Sequence, residues 1–554
     1  MALPRAVTVL AAGLGLCLLG AAPAPPSPEA AARARSRELA RRGAWSHADV
    51  LGLLALQLVD PERFVADAAF RREVIARLPR TLDPSAPAAL RDALLLELNQ
   101  VRGFDFAASD EVERAWGAIP RRGAKRQAAY DPQGQRFDAD VEGRLAASVY
   151  SLPSFFFDLP AADAFLSAVR AAAGPGRALI VLTDSPLKER LEPRARALGL
   201  RLLDTHGRGY SPWPRDPFTL VHTAHAKTGG VRVLVRPNLQ PGREEDAHLG
   251  PELVRSLPDD LDRAWGKATW TQAPVPFHNG QVLLARDAAW LTLHALEPRI
   301  LAILGLDDVP VESFATSEGI DRYLAAADQA AAELAALYGR PVRFVHPLPR
   351  AGSGDLAARS ALMRRLGGGA GYDLDSILTL VPTSKGRLAV LVADVAAGRD
   401  LLAKLPSGDW DALRRGYGLE PAGAPLATAL AAVQRTTAMD GLGSFLDLTA
   451  EHLKTQGFEV RRLPLLAVPV PLLHDRTGLT HSAFLITWNN VVVEKRKTEI
   501  RAEGFASLIP TGDRMAREAF AALGVHLDLF PPLVRSVILN GGYRCASNHL
   551  RAAD

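Results

Sequence analysis

The sequence predicts an α/β protein built from repeated modules, with a helical region before them. The first observation behind this prediction is that an amphipathic helix, a glycine and an apolar strand follow one another in four copies after about residue 145. The second is the strand Ala178–Leu182, which is apolar at every position, as is typical of strands buried on both faces. Repeated units of this kind indicate one architecture whose loops differ between copies.

The N-terminus has the layout of a secretory signal. Arg5 precedes the apolar run Ala6–Gly20, and small residues then lead into a Pro-rich stretch. The run is shorter than a typical membrane span, and no second run approaches that length. We therefore expect residues 1–26 to be a signal peptide and the protein to be secreted or periplasmic. An uncleaved N-terminal anchor is the alternative, and no other contact with a membrane is expected.

Residues 27–144 are interpreted as a helical N-terminal region followed by a linker. Val50–Leu58 and Ala88–Val101 carry apolar residues at helical spacing. Arg121–Arg144 is polar and irregular, which favours a linker. No pattern in this region indicates chemistry, so we expect it to be accessory to a domain at 145–554.

The modules of that domain are marked by glycines that end their helices. A glycine in this position adopts the left-handed backbone that stops a helix. If the modules are related by rotation about a common axis, their equivalent loops converge on one centre. The four glycines are Gly199, Gly339, Gly457 and Gly524, and the strands predicted after them are 200–204, 342–345, 458–466 and 525–529.

Cys545 is the first candidate functional residue. The only other cysteine, Cys17, lies in the predicted signal peptide, so Cys545 would be the sole thiol of an exported chain. We interpret Ser536–Asn540 as a short strand and Gly541-Gly542 as a turn, which would place the sulfur just past a strand end. A small buried hydrophobic residue is the alternative role.

Three acids are the next candidates. Asp216 and Cys545 follow the glycines of their modules by 17 and 21 residues, so their loops are comparable. Asp373 and Asp375 precede an apolar strand, and alternation in an extended segment would place both on one side. Two such acids are costly to bury without a cation. A solvated strand edge is the alternative for this pair.

These motifs, in this order, resemble the guanidino-group-modifying pentein superfamily, which includes arginine deiminases, agmatine deiminases, amidinotransferases and peptidylarginine deiminases. The resemblance rests on Trp213-Pro214-Arg215-Asp216-Pro217, on the acidic pair, and on Gly541-Gly542 followed by Cys545-Ala546-Ser547-Asn548. The last motif is most similar to peptidylarginine deiminases. The resemblance implies a pentein α/β-propeller of about five ββαβ modules with the active site at its centre.

The resemblance also implies roles for individual residues. In this superfamily two carboxylates hold a guanidinium, a histidine acts as acid and base, and a cysteine forms a thiouronium intermediate. Asp216 and Asp375 match the carboxylates, and Cys545 matches the nucleophile. The residues expected to contact the substrate are Trp213, Arg215, Asn548 and Arg551.

The sequence departs from the superfamily pattern at three places near this site. Asp373 stands where the histidine is expected, Arg544 stands where a histidine often precedes the cysteine, and His278-Asn279-Gly280-Gln281 replaces a Gly-Gly-Asn turn. Alternation along the chain predicts that Arg544 points away from the thiolate. A protonated Asp373 could donate to a leaving amine, because clustered carboxylates raise one another's pKa.

Other histidines are candidate proton carriers. His278 and His481 lie near the predicted site, whereas His526-Leu527-Asp528 is interpreted as a chance match to the expected His-x-Asp pattern. The function expected is an exported hydrolase that converts a guanidinium to a ureido group, on arginine in a peptide or on a small guanidine. A catalytically impaired protein that binds arginine, or an amidinotransferase, is the alternative.

Composition limits the partners. Lys plus Arg number 65 and Asp plus Glu 61, which is too balanced to indicate a nucleic-acid partner. No His/Cys cluster has metal-ligand spacing, and no acidic calcium loop is present. We therefore expect no metal site and no cofactor, and the sequence leaves calcium dependence open.

Overall fold

The computed structural model describes residues 27–42, 53, 56, 73, 82–86 and 126–552, without 153–158, 175, 184, 205–211, 224–229, 237–245, 247, 307–308, 384–385, 418–429, 432, 470–482, 498 and 539–540. The predicted signal peptide and the predicted helix 88–101 lie outside these residues. Of the predicted helix 50–58, only residues 53 and 56 are described. None of the described helices has the length and apolar character needed to cross a membrane.

The described strands form five sheets of three or four strands. The first sheet contains β2 (Leu145–Ser151), β3 (Ala178–Thr183), β4 (Arg201–Asp204) and β18 (Ser547–Arg551); the second contains β1 (Gln135–Arg136), β5 (Phe218–Thr223), β6 (Val231–Val235) and β7 (Thr269–Gln272). The third contains β8 (Val282–Leu284), β9 (Ala289–Leu291) and β10 (Val342–Phe344). The fourth contains β11 (Leu378–Pro382), β12 (Leu388–Asp394), β13 (Glu459–Pro469) and β14 (Ala483–Thr487), and the fifth β15 (Val492–Lys495), β16 (Ile500–Phe505) and β17 (Val525–Phe530).

Every sheet repeats one unit of three strands. Two strands pair antiparallel, and the second of them pairs in parallel with a third strand that follows a helical crossover. The units are β18-β2-β3, β5-β6-β7, β8-β9-β10, β11-β12-β13 and β15-β16-β17. The mixed α/β fold predicted from the sequence is confirmed. Four units run along the chain in the order ββαβ, and in the unit β18-β2-β3 the strand β18 comes from the C-terminal part of the chain. Arrangement of the five sheets around a common axis stays a prediction.

Helices fill the crossovers and the connections between sheets. The crossover helices are Leu159–Ala172, Ser185–Leu198, Leu249–Ser256, Asp259–Ala264, Glu297–Leu304, Ser317–Tyr338, Val395–Ala403, Ser407–Tyr417, Thr437–Thr455 and Pro510–Ala521. The other described helices are Pro28–Arg42, Leu356–Gly367, Leu374–Ile377 and Val534–Ile538, with short 3-10 turns at Leu293–Leu296 and Val311–Ala315.

Local sequence explains the module boundaries. The four helix-ending glycines have φ values of 66°, 64°, 82° and 77°, in chain order, which L side chains rarely adopt. Along β3, Leu179 and Val181 pack into one core cluster and Ile180 and Leu182 into another. This strand is therefore buried on both faces, as its continuous apolar run predicts.

Residues 126–144 are part of the folded body and not the linker expected from their polar composition. Strand β1 pairs antiparallel with β5, and the Ala128 amide donates to the Trp270 carbonyl at 2.8 Å. A polar segment can lie inside a fold when its charged side chains find buried partners. Asp140 does so, as described below.

Candidate active site

The candidate site is formed by the loops that enter the first strand of each three-strand unit. Asp216 precedes β5, His278 precedes β8, Asp375 precedes β11, Asn490 precedes β15 and Cys545 precedes β18, each by two to four residues. All five sheets therefore contribute one side chain from an equivalent position. The distances below show that these side chains meet.

Cys545 lies at the centre of this cluster and is buried. Its Sγ accepts a hydrogen bond from Asn490 Nδ2 at 3.2 Å and lies 4.0 Å from Asp375 Oδ1. The expectation of a strand before the cysteine is wrong, because Val534–Ile538 is a helix. The sulfur lies in the turn that leads into β18, so it precedes a strand and does not follow one.

Asn490 holds the thiol and the second carboxylate together. Its Nδ2 also donates to Asp375 Oδ1 at 2.9 Å, and its Oδ1 accepts from the Arg544 amide at 2.7 Å. A Cβ at Gly542 would collide with the Asn490 side chain, so this close approach requires the glycine. Asn490 is not among the residues predicted from the sequence, and the only signal for it is its position, within Trp-Asn-Asn, between two apolar strands.

Asp375 is completely buried and pairs with a protein cation. Its Oδ2 accepts from Arg544 Nη1 at 2.8 Å, and Arg544 Nη2 donates to Asp140 Oδ2 at 2.8 Å. The prediction that Arg544 points away from the site is therefore wrong, because a turn replaces the alternation of a strand at this point. Arg544 binds Oδ2 of Asp375, and Oδ1 of Asp375 faces the thiol.

Asp140 extends this network to a residue expected to contact substrate. Its Oδ1 accepts from Arg215 Nη2 at 2.8 Å, and its Oδ2 accepts from the Leu284 amide at 2.7 Å. In the structure the Arg215 guanidinium is therefore engaged with the partly buried carboxylate of Asp140. Its contact with substrate stays a prediction.

His278 lies between two carboxylates from neighbouring loops. Its Nε2 is 4.0 Å from Asp216 Oδ1, and its Nδ1 is 3.7 Å from Asp373 Oδ1. A Cβ at Gly280 would lie 2.9 Å from Asp373 Oδ2, so the glycine gives this carboxylate room beside the imidazole. The structure thus brings a histidine to the site from a loop in the third sheet, whereas the expected position at 373 holds an acid.

Asp373 and Asp375 lie close together, but not for the reason predicted from the sequence. Asp373 is the N-cap of the short helix Leu374–Ile377 and Asp375 lies within that helix, so the pair does not lie on an extended segment. Ligand atoms of Asp373, Asp375 and Cys545 nevertheless lie within 4.8 Å of one another. Such a trio could approach a cation, but Arg544 already neutralises part of its charge, which favours an organic monocation over a divalent metal ion.

The electrostatics of the cluster oppose ionisation in its resting state. Burial raises the pKa of Asp375 to about 7, against the effect of Arg544 and with a further contribution from Asp373. Burial also raises the pKa of the Cys545 thiol well above its ordinary value, as do Asp375, Asp216 and Asp373, and the Asn490 hydrogen bond opposes this rise. A cation bound among these groups would favour both ionised forms.

The other residues expected to contact substrate are buried and hydrogen-bonded within the protein. Trp213 Nε1 donates to Ser536 Oγ at 3.1 Å, and Asn548 Nδ2 donates to the Phe218 carbonyl at 2.6 Å. Arg551 donates to backbone carbonyls, including that of Val493 at 2.7 Å. The side chains of Asn548 and Arg551 are buried and engaged with the backbone, and their contact with substrate stays a prediction. Trp213 is buried in the core.

Two further histidines were considered in the sequence. His526 is 64% exposed in its side chain and pairs with Asp528 at 3.2 Å on β17, as expected of a chance match. His481 lies outside the described residues.

A cavity of about 400 Å³ opens beside the cluster. Asp373, Ser376, Asn490 and Gly541-Gly542 are among the residues that line it. Because Asn490 also contacts Cys545 and Asp375, this cavity adjoins the reactive side chains.

Comparisons with known proteins return structural matches only. No model of a known protein family matches the chain, and no curated protein matches it in sequence. An agmatine deiminase of C. jejuni matches with a TM-score of 0.43 and 10% identity, over 76% of this chain and 96% of that one. A structural genomics target described provisionally as an agmatine deiminase matches with a TM-score of 0.44 and 12% identity, over 78% of this chain and 100% of that one. Agmatine deiminases belong to the superfamily that the sequence motifs resemble.

Proposed function

We propose that the protein is a cysteine-dependent hydrolase of guanidinium groups, that is, a deiminase. Asp216 and Asp375 hold the planar cation, and Cys545 attacks its central carbon. The observation that carries this proposal is the convergence of a thiol, three carboxylates and an imidazole from the loops that enter four different sheets. A guanidinium presents N–H donors in one plane, which suits several carboxylates at once.

The first half of the reaction forms a thiouronium. The Cys545 thiolate adds to the guanidinium carbon, and one nitrogen accepts a proton and leaves as ammonia when its C–N bond breaks. His278 is the proton carrier that the geometry favours, because the carboxylates of Asp216 and Asp373 lie on either side of it. These two carboxylates orient the imidazole and stabilise its protonated form.

The second half releases the product. Water gives one proton to the imidazole and adds to the thiouronium carbon as hydroxide. The C–S bond then breaks to return the thiolate, and the hydroxyl proton passes to the released ammonia, which becomes ammonium. The sum is one guanidinium plus one water giving one ureido group plus one ammonium ion. Atoms and charge balance without a cofactor.

Substrate charge activates the nucleophile in this scheme. Asp375 Oδ1 lies 4.0 Å from the thiol, so a guanidinium held by this carboxylate lies beside the sulfur, and the thiol gives its proton to solvent when the cation binds. A bound guanidinium offsets the carboxylate charge that raises the pKa of Cys545. The thiolate is therefore favoured when a cation is present, which limits reaction with neutral compounds.

A guanidinium-binding protein without turnover is the second candidate function. The observation that favours it is the same set of carboxylates around Cys545, because they attract the cation and disfavour the thiolate. The two functions differ in whether a ureido product appears.

Three finer statements from the sequence belong to the proposal. The substrate guanidinium is carried by arginine in a peptide or by a small guanidine, residues 1–26 direct export, and the five sheets stand around one axis in a pentein α/β-propeller. The resemblance of the motifs around Asp216 and Cys545 supports the first and third, and the apolar run 6–20 supports the second. Fractionation of cells that express the full chain tests export.

The test of the proposed function is ureido product formed from a panel of guanidines by the parent protein and by Cys545→Ala. We expect Cys545→Ala to lose at least about 1,000-fold in rate while calorimetry still detects guanidine binding. Equal product from both proteins would overturn the role of Cys545. Binding by the parent without any product would support the second candidate, and no binding would remove both.

A further inference from the structure

The cavity beside Cys545 is almost uncharged. Asp373 is the only charged side chain among the described residues that line its volume of about 400 Å³. Pockets of this size enclose a small organic molecule. The apolar side chains that form most of the wall include Val433, Met439, Leu485, Ile486, Phe505 and Val537.

The polar side chains in the wall are engaged with the protein or neutral. Ser507 Oγ donates to Asp513 Oδ1 at 2.7 Å, and Thr487 Oγ1 donates to the Ser376 carbonyl at 2.7 Å. Burial raises the pKa of the phenols of Tyr372 and Tyr417, so both remain neutral near neutrality. The described wall therefore offers no cation to a carboxylate.

The cavity adjoins the position proposed for the guanidinium, because two of its lining side chains contact the residues of the cluster. Asn490 lines the cavity and donates both to Asp375 Oδ1 at 2.9 Å and to Cys545 Sγ at 3.2 Å. Asp373 lines it as well and lies 3.7 Å from His278. A guanidinium held by the carboxylates would therefore extend its substituent into the apolar part.

We propose that the preferred substrate is a guanidine whose substituent is uncharged and largely apolar, which rests on the proposed function. Free arginine would bring a carboxylate against a wall whose described residues include no cation, and burying that charge is costly. A second ammonium, as in agmatine, would lose its hydration with Asp373 as the one charged side chain of the described lining, and that carboxylate already faces His278. An alkylguanidine, or arginine with both α-groups blocked as neutral amides, meets neither penalty.

The experiment compares kcat/KM of the full-length protein for n-hexylguanidine, Nα-acetylarginine methylamide, agmatine and arginine. The blocked and free forms of arginine are a matched pair, because they share the side chain and differ in the charges at the α-carbon. We expect both neutral-tailed guanidines to exceed arginine and agmatine by at least about 100-fold. Arginine or agmatine turned over as well as the neutral compounds would overturn this inference while leaving the hydrolase function intact.

Two variants test whether the cavity itself sets the preference. Ala438 lines the cavity at an exposed position in the first turn of helix Thr437–Thr455, and Thr437 next to it is exposed and not part of the described lining. Ala438→Lys adds a cation and should raise kcat/KM for arginine relative to n-hexylguanidine by about 10-fold. Thr437→Lys adds the same charge outside and should leave the ratio unchanged. Identical ratios in both variants would contradict the placement of the tail in this cavity.

Binding measurements distinguish the proposed substrate class from the proposed hydrolase function. Calorimetry with Cys545→Ala should show n-hexylguanidine binding more tightly than arginine. Absence of both binding and turnover for every guanidine would overturn the proposed function, and the substrate class with it. Tighter binding of arginine would overturn the substrate class alone.

Discussion

At the scale of single residues, opposing electrostatic effects set the pKa of the Cys545 thiol. Burial and the surrounding carboxylates raise the pKa of its thiol, whereas the hydrogen bond from Asn490 lowers it. The balance favours a neutral thiol in the resting protein and a thiolate when a cation is bound. Reactivity at this position therefore depends on the charge of the molecule that enters.

His278 carries the first prediction at this scale. His278→Gln should lower kcat by about 100-fold to 10,000-fold, because it removes the proton carrier between Asp216 and Asp373. KM should change far less, since the carboxylates that hold the guanidinium remain. Steady-state kinetics with a guanidine substrate measures both parameters.

The matched control for this variant is His526→Gln. His526 is exposed on β17 and pairs only with a nearby acid among its described partners, so its loss should leave kcat unchanged. A His278→Gln variant with the kcat of the parent would contradict the role given to the imidazole.

What the sequence could show about the site differs from residue to residue. Asp216, Asp375 and Cys545 lie in motifs, so their convergence could be predicted. Asn490 carries no local pattern, and its role arises from contacts with residues 115 and 55 positions away. The role of Asp140, which lies in a polar segment, could not be predicted, because its partner Arg544 is 404 positions away. Such roles are set by tertiary contacts that residue types alone do not encode.

At the scale of elements, strand β18 joins distant parts of the chain. It pairs antiparallel with β2, and the Arg551 guanidinium donates to the carbonyls of Glu142 at 2.8 Å and Val493 at 2.7 Å. Strand β18 thus ties residues before β2 to the fifth sheet. Because Cys545 enters this strand, the position of the thiol depends on these contacts.

Arg551 provides the prediction for this element. Arg551→Met should lower the free energy of unfolding by about 2–4 kcal/mol, because several buried carbonyls lose their donor. KM for a guanidine should stay within about twofold of the parent, since Arg551 does not contact the proposed substrate position. Urea unfolding and steady-state kinetics measure the two quantities. A large rise in KM with unchanged stability would instead support the substrate contact that the sequence suggested.

Elements were predicted best where local signals agree with tertiary structure. The glycines that end helices and the apolar runs that follow them predicted four strands correctly. The strand predicted at Ser536–Asn540 is wrong where it overlaps the helix Val534–Ile538, because a short apolar segment fits a strand and a buried helical turn equally well.

At the scale of the whole molecule, a buried ion pair joins the first and fifth sheets near the site. Arg177, just before β3, donates through Nη2 to Glu503 Oε2 of β16 at 2.8 Å, and Tyr543 donates to the same oxygen at 2.7 Å. Tyr543 lies two residues before Cys545. The contact between these sheets therefore also supports the turn that carries the thiol.

This ion pair predicts a pH dependence of stability. Arg177 and the hydrogen bond from Tyr543 lower the pKa of Glu503 against the effect of burial. A lowered pKa means that the stabilising contribution is present above the ordinary value of 4.5 and is lost as pH falls through the folded value. Glu503→Gln should therefore cost about 3–5 kcal/mol near neutrality and much less in acid.

Urea unfolding near neutrality and in acid measures this difference. The control is Glu518→Gln, because Glu518 forms an exposed pair with Arg514 at 3.7 Å. Its loss should change stability by less than about 0.5 kcal/mol at either pH. A constant cost of Glu503→Gln across the pH range would contradict the proposed ion pair.

The most direct test of the account is the rate at which Cys545 is alkylated by 2-chloroacetamidine and by 2-chloroacetamide. The two reagents share a shape and a reactive carbon, but only the amidinium is a flat cation. Mass spectrometry of the labelled peptide should show the amidinium reacting at least about 100-fold faster relative to its rate with a free thiol, because Asp216 and Asp375 bind it beside the sulfur. Equal relative rates would contradict the claim that these loops converge to hold a guanidinium against Cys545.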